Sequence, residues 1–492
     1  MKQLIKSLCA LTLTLCGSQQ FTSAAEATRV NHPDWSRDAI IYEVNTRQYT
    51  PEGTFDAFSA HLPRLKELGV DILWFMPIHP ISELNRKGEL GSYYAVKDYT
   101  GVNPEFGNLN SFKNVVKKAH DLGMKVIIDW VPNHTGCDNA WVKDHPDWYA
   151  RNDKGEMYGP FDWTDVYQLD YSNKKMRRGM IDALKFWITE VGIDGFRCDV
   201  AGRVPVDFWD QARRELEKAT GKGNLFMLAE ATESELLDNA FDMDYNWPMK
   251  DLQNAISTTQ RANWRINPQT GKLDTASVQT PKYAADIPTL VHEQAKTYPA
   301  GSYLMNMVTN HDLNSWEWTE QQRYNQYLPA MTVLTYMLPG MPLIYTGQEI
   351  NMNRALEFFV KDTPVFQAPV KAIDGTSGST LKVLNTLKHN YRHLDAGQNN
   401  ILFVPTSDKT QLIIARELPD SDEIVVAALN LGPNAMDISQ FTTLAVAPKG
   451  YDAPTVLKFG TEGVYTTVDN AGLLPSGQAA VMIIPKAMPL NN

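Results

Sequence analysis

Four short apolar runs in this chain end in side chains that can move protons or attack carbon. Asp129 closes the first, followed by Asn133 and His134; Arg197 and Asp199 close the second, Glu230 the third, and Asn310, His311 and Asp312 the fourth. A carboxyl group can act as general acid, general base or nucleophile, depending on how its surroundings set its proton affinity. A lone strand-end aspartate is more often a structural cap or half of a salt bridge. Four carboxylate-bearing ends are another matter. Burying each without compensation costs several kcal/mol, and such crowding persists mainly where function uses it.

The runs that carry these residues alternate with amphipathic stretches. Strands are expected at 39–44, 71–76, 125–129, 195–199, 225–230, 241–245, 303–309 and 342–346. Apolar residues at helical spacing fill 58–68, closed by Gly69, and 109–122, closed by Gly123. Near-continuous apolar strands separated by helices mean a parallel sheet covered by helices. Eight such units predict a (β/α)₈ barrel, a TIM barrel, over roughly 36–390, within a catalytic unit of 26–396. Asp199 and Glu230 are 31 residues apart, one ordinary ~30-residue unit. Asp129 and Asp199 are 70 apart, so an irregular subdomain at 132–173, rich in Trp, Asp, Asn and Gly, is expected after the third strand. From 397 to 492 the pattern becomes alternating, as in an antiparallel β-sandwich domain. Gly375 to Ser379 reads as a flexible loop.

Residues 1–25 have the form of an export signal: Lys2 and Lys6, an apolar run from Leu8 to Cys16, then Ser23-Ala24-Ala25. That run is shorter than the ~20 residues that span a bilayer, so no transmembrane segment is expected. The chain is therefore expected to be exported, to a periplasm or the medium. Lipid on Cys16 is disfavoured because Leu15 occupies the place where a small residue usually stands. The formal charge is −11, and removing Lys2 and Lys6 makes it more negative. Such a chain has no electrostatic reason to bind nucleic acid or anionic membranes. Beyond the signal only Cys137 and Cys198 remain, read as unpaired thiols, and no Cys/His cluster offers a transition-metal site.

The strand-end residues resemble the signatures of the α-amylase family of glycoside hydrolases. Asp129 to His134, Gly195 to Asp199, Ala229-Glu230 and Val308 to Asp312 stand in the family's order, and Ser92 to Tyr99 with Asn103-Pro104, Gln168-Leu169-Asp170 and Gly340 to Glu349 add further matches. The resemblance implies retaining hydrolysis of α-glucosidic bonds in starch-like glucans. Asp199 would be the nucleophile, Glu230 the general acid/base and Asp312 the third carboxylate, which holds the sugar distorted. Tyr94 would stack under the sugar ring, while His134 and His311 would donate to its hydroxyls. Arg197, on the same strand face as Asp199, would keep that carboxylate ionised. Glu230 would need a drier or more anionic setting to hold its proton. Asp98 would be structural, bonded to Arg197 or to loop amides.

No cofactor is implied for the chemistry. The family can hold structural calcium through residues like Asn133 and Asp170, with a carbonyl from a histidine just after the nucleophile strand, and this chain lacks that histidine. Where many relatives place a Lys-His pair for leaving-side sugars, it has Gly202 and Arg203, so only Arg203 offers a side chain there. An α-glucan transglycosylase or a cyclomaltodextrinase-type enzyme is thus the alternative, and a non-catalytic glucan-binding protein the more distant one. The sequence does not set the oligomeric state.

Overall fold

The computed structural model describes residues 26–221, 223–260, 280–367, 376–467 and 472–486, with two short strands at 265–266 and 273–274. The expected export signal, with Cys16, lies outside the described residues. Eight parallel strands form a closed barrel: β1 (Ile41–Val44), β2 (Ile72–Phe75), β3 (Lys125–Trp130), β4 (Gly195–Cys198), β5 (Phe226–Ala229), β6 (Met243–Tyr245), β7 (Tyr303–Asn306) and β8 (Met341–Tyr345). β1 closes the ring by pairing with both β2 and β8. At Gly195 the backbones of β4 and β5 come so close that a Cβ would meet the Phe226 carbonyl oxygen at 1.8 Å.

Alternation along each strand sorts side chains between the lumen and the helical shell. Ile41, Ile72, Trp74, Ile127, Leu228, Met243 and Tyr245 pack together inside the barrel. Tyr42, Leu73, Phe75, Ile128, Phe196 and Ala229 belong to the larger core under the helices. By the same parity Glu43, Asp129 and Arg197 point inward near the C-terminal ends of their strands, with Asp199 and Glu230 one inward step beyond theirs.

The helices follow their local signals, with one interruption. Asn108 caps Leu109–Asp121 through a capping box, and Gly123 follows at φ +75°. The helix expected at 58–68 is instead two, Phe55–Ser59 and Leu62–Leu68. Pro63 sits in the first turn of the second piece, where its missing N–H costs nothing; in one continuous helix it would break the ladder. The loop expected at 375–379 is also corrected, because Thr376–Asn390 is helical. Asn133 to Asn173 form the inserted subdomain, with a small hairpin of His134–Gly136 and Val166–Gln168.

The C-terminal unit is a six-stranded antiparallel sheet and a separate two-stranded ladder, Met436–Asp437 with Leu473–Leu474, so the second layer of the sandwich is small. One face of the large sheet (Ile414, Val425, Leu429, Leu457, Ile483) joins the core that surrounds the barrel. The other (Ile413, Val426, Ala428, Met482) packs under Met436, Ile438, Phe441 and Leu474. Cys137 and Cys198 are buried free thiols. Among the described residues no helix is long and apolar enough to cross a membrane.

Candidate active site

Arg197 is the centre of the barrel mouth, and it is fully buried. Its Nη1 donates to Asp129 Oδ1 at 2.9 Å and to Asp199 Oδ1 at 3.1 Å, and its Nε donates to the Tyr245 hydroxyl at 3.1 Å. Nη2 lies 2.9 Å from Glu230 Oε2 as an ion pair, without hydrogen-bond alignment. One planar fork thus serves three carboxylates. Trp74 Nε1 and the Tyr94 hydroxyl both donate to the other oxygen of Asp129, at 3.2 and 3.0 Å.

The two expected reacting groups sit just past β4 and β5 rather than within them. Val200 adopts φ +38°, turning the chain so that its N–H donates to Glu230 Oε2 at 2.9 Å. A non-glycine, β-branched residue held there is strained, as functional turns often are. The electrostatics depart from the expected division of labour. Burial, then repulsion from Glu230, raises the proton affinity of Asp199 well above the usual carboxylate range against the pull of Arg197. Burial also lifts Asp129 to about 6, although Arg197 opposes it. Glu230, expected in a drier or more anionic setting, faces the guanidinium and a backbone N–H. For Asp199 and Asp129 the cause is shared: burial outweighs a single cation divided among the carboxylates.

The opposite side of the mouth is built on His311. Asn310 caps the helix His311–Trp316, accepting from Leu313 N at 2.8 Å. His311 Nδ1 bonds to Glu43, whose other oxygen accepts from the His311 backbone N–H at 3.2 Å. His311 Nε2 lies 2.8 Å from the Tyr94 hydroxyl and 3.4 Å from Asp312 Oδ2. Burial works against a charged imidazole here, but Asp312 and Glu43 outweigh it and raise His311 to about 9. The folded value exceeds the usual ~6.5, so this stabilisation is fully present below pH ~6.5 and is lost as pH rises through about 9. Melting temperatures should therefore fall across that window in the wild type and stay level there in His311→Asn; a parallel decline in both would sink the assignment. Glu43 escaped the sequence reading, although its signal was present: one carboxylate in an otherwise apolar strand, at the inward parity of Ile41.

The remaining expected residues divide between mouth and rim. His134 lies in the subdomain hairpin beside Asn133, buried, and burial lowers it to about 4, so it is neutral. Arg203 holds its guanidinium 4.9 Å from the Phe161 ring centroid. Phe161 is 65% exposed and held at φ +54°; its ring is 5.0 Å from that of Trp163, which is 5.3 Å from the ring of His134. A Cβ at Gly202 would meet Glu233 Oε2 at 2.2 Å, so a carboxylate occupies the space of a side chain there. Asp98 bonds to the N–H and hydroxyl of Thr100, a loop contact. Asn133 and Asp170 are each engaged with other groups. Asn133 pairs with Gln168, and Asp170 accepts from Ser172 N.

Comparison with known proteins bears on this arrangement. The family model of the α-amylase catalytic domain matches residues 21–168 and 143–373. The chain is 24% identical over 473 residues to α-amylase MalA of Haloarcula japonica, covering 91% of this chain and 63% of that protein. It thus spans less than two thirds of that relative's length. An α-1,4-glucan:maltose-1-phosphate maltosyltransferase of Salinibacter ruber is 31% identical over 242 residues, covering 43% of this chain and 36% of that one. Among solved structures, an α-amylase from Lactobacillus plantarum superposes with TM-score 0.72 at 29% identity, covering 91% of this chain and 99% of its own.

Proposed function

The chain belongs to the α-amylase family of glycoside hydrolases, and from that premise we propose that it cleaves α-1,4-glucosidic bonds in starch, maltooligosaccharides or related α-glucans by double displacement. One observation carries the reading: Asp199 and Glu230 meet on a single guanidinium, that of Arg197. The two are taken as the close-set carboxyl pair of a retaining glycosidase, which stands ~5–5.5 Å apart. In the first step Asp199 forms a bond to the anomeric carbon while the glycosidic C–O bond breaks, and Glu230 protonates the departing oxygen. In the second, water attacks that carbon, Glu230 takes its proton, and the bond to Asp199 breaks. Catalysis requires a proton on Glu230 and none on Asp199 at the moment of attack.

Tyr94, His134, His311 and Asp312 are proposed to hold the glucosyl unit being transferred, and Arg203 to face the leaving-side sugar. Export is proposed on the strength of residues 1–25. The second reading, transfer to a sugar acceptor, draws on Phe161: an exposed aromatic in a strained backbone, backed by Arg203 and Trp163, offers a sugar a stacking surface that water does not need. A time course on maltoheptaose, beside starch, pullulan and cyclodextrin, tests both. Hydrolysis predicts reducing ends from the outset, released as the α-anomer. Transfer predicts oligomers longer than the substrate at early times, reduced severalfold in Phe161→Ala. Binding of starch with no release of reducing ends, or release of the β-anomer, would refute the double displacement.

A further inference from the structure

The inserted subdomain meets the barrel where related chains are expected to hold calcium, and here the local oxygens are already gathered by a side chain. Gln168 Nε2 donates to Asn133 Oδ1 at 2.9 Å, to the Asn133 carbonyl at 3.0 Å and to the Leu169 carbonyl at 3.3 Å. Two of those partners are backbone carbonyls, which only accept, so the carboxamide must present its NH₂ group to them. Gln168 Oε1 accepts from Asn133 Nδ2 at 3.2 Å, completing a reciprocal amide pair. Asn133 Nδ2 also faces His134 Nδ1 at 3.2 Å. A donor on Nδ1 makes that nitrogen an acceptor and leaves the ring proton on Nε2.

Calcium needs six to eight oxygens at about 2.3–2.6 Å. The residues present do not fit it: an N–H donor occupies the centre of three candidate oxygens, and Asp170 Oδ1 caps the turn at Ser172. We propose that Gln168 is a positioning residue that takes the place of calcium in this chain. Its NH₂ group gathers the oxygens a cation would gather and fixes the orientation of Asn133. Through Asn133 it sets His134 as an Nε2–H donor. The substrate contact of His134 rests on the function proposed above, while the replacement of the metal does not.

The test uses the full chain, dialysed exhaustively against EGTA and returned to millimolar calcium chloride or to EGTA. Wild-type protein is expected to carry far less than one calcium per chain by elemental analysis, and its Tm to differ between the two conditions by no more than ~1 °C. Gln168→Glu turns a carboxylate oxygen toward three other oxygens. It should lose about 3 °C or more in EGTA and recover much of it with calcium, creating a requirement the natural chain lacks. Gln168→Ala should lose stability equally in both conditions and raise KM for maltotriose about tenfold with a smaller change in kcat, as expected for one displaced donor. Stoichiometric calcium in the wild type, or a rise of several degrees on adding it, overturns the proposal. An unaltered Tm and KM in Gln168→Ala does the same. If the chain turns over no glucan at all, the metal content and melting data still decide the question.

Discussion

Asp199→Asn should lower kcat by about 10⁴-fold or more and leave a folded protein that melts a few degrees higher than the wild type. Both halves come from the same surroundings. The carboxylate is bonded to Arg197 and repelled by Glu230, and an amide in its place is too weak a nucleophile to form the glycosyl bond. The amide oxygen can still accept the 3.1 Å bond from Arg197. Meanwhile one buried carboxyl, repelled by Glu230, Asp129 and Asp312, has been neutralised, so the fold is relieved of a tension it keeps for chemistry. Glu230→Gln should be equally slow on maltooligosaccharides and far less impaired on α-glucosyl fluoride, whose leaving group needs no proton. Asp199→Asn should show no such rescue. Retention of kcat within tenfold of wild type in Asp199→Asn, or equal responses of the two variants to the fluoride, would remove the roles assigned to them.

Arg197→Lys is expected to be the most destabilising conservative change in the site. A guanidinium offers five donors in a plane, and here they reach Asp129, Asp199, Tyr245 and Glu230 from a position with no solvent access. An ammonium is a compact point charge that cannot span those partners. At least one buried carboxylate would then stand uncompensated, which costs about 3–5 kcal/mol. In a chain of this size that lowers Tm by roughly 3–5 °C. Adding Asp129→Asn to Arg197→Lys should restore much of the Tm, because it removes the excess charge, and should not restore turnover. Thermal melts of the two single variants and the double variant measure that coupling directly. A Tm within ~2 °C of wild type for Arg197→Lys would show that the fork is not the keystone described.

Much of the barrel was legible because its strands are buried on both faces and so read as unbroken apolar runs. Their ends were less legible. The expected strands at 195–199 and 225–230 include Asp199 and Glu230, whereas β4 and β5 stop one residue earlier. Side-chain pattern does not reveal that Val200 turns at positive φ. The run at 58–68 kept its apolar spacing across a real break at Ala60-His61, and Pro63 was the cue. The site residues stood out where a charged type interrupted an apolar run, as at Asp199. Glu43 met the same condition and was passed over because its partner, His311, is 268 residues away. Proton affinities were beyond the sequence, since they depend on how one cation is shared among groups from three strands. Gln168 stood in the Gln168-Leu169-Asp170 match, but its positioning role gave no signal, because an amide that gathers backbone carbonyls is spelled like any surface glutamine.

The terminal sheet has no seam with the rest. Its inner face and the outer shell of the barrel are one continuous apolar mass, and the fully buried Arg416 ties the two together through the Met337 carbonyl at 2.8 Å. This tail is therefore not a detachable accessory. Cutting it away would bare an oily flank of the catalytic half, and splicing in a foreign tail would mean re-tailoring that flank.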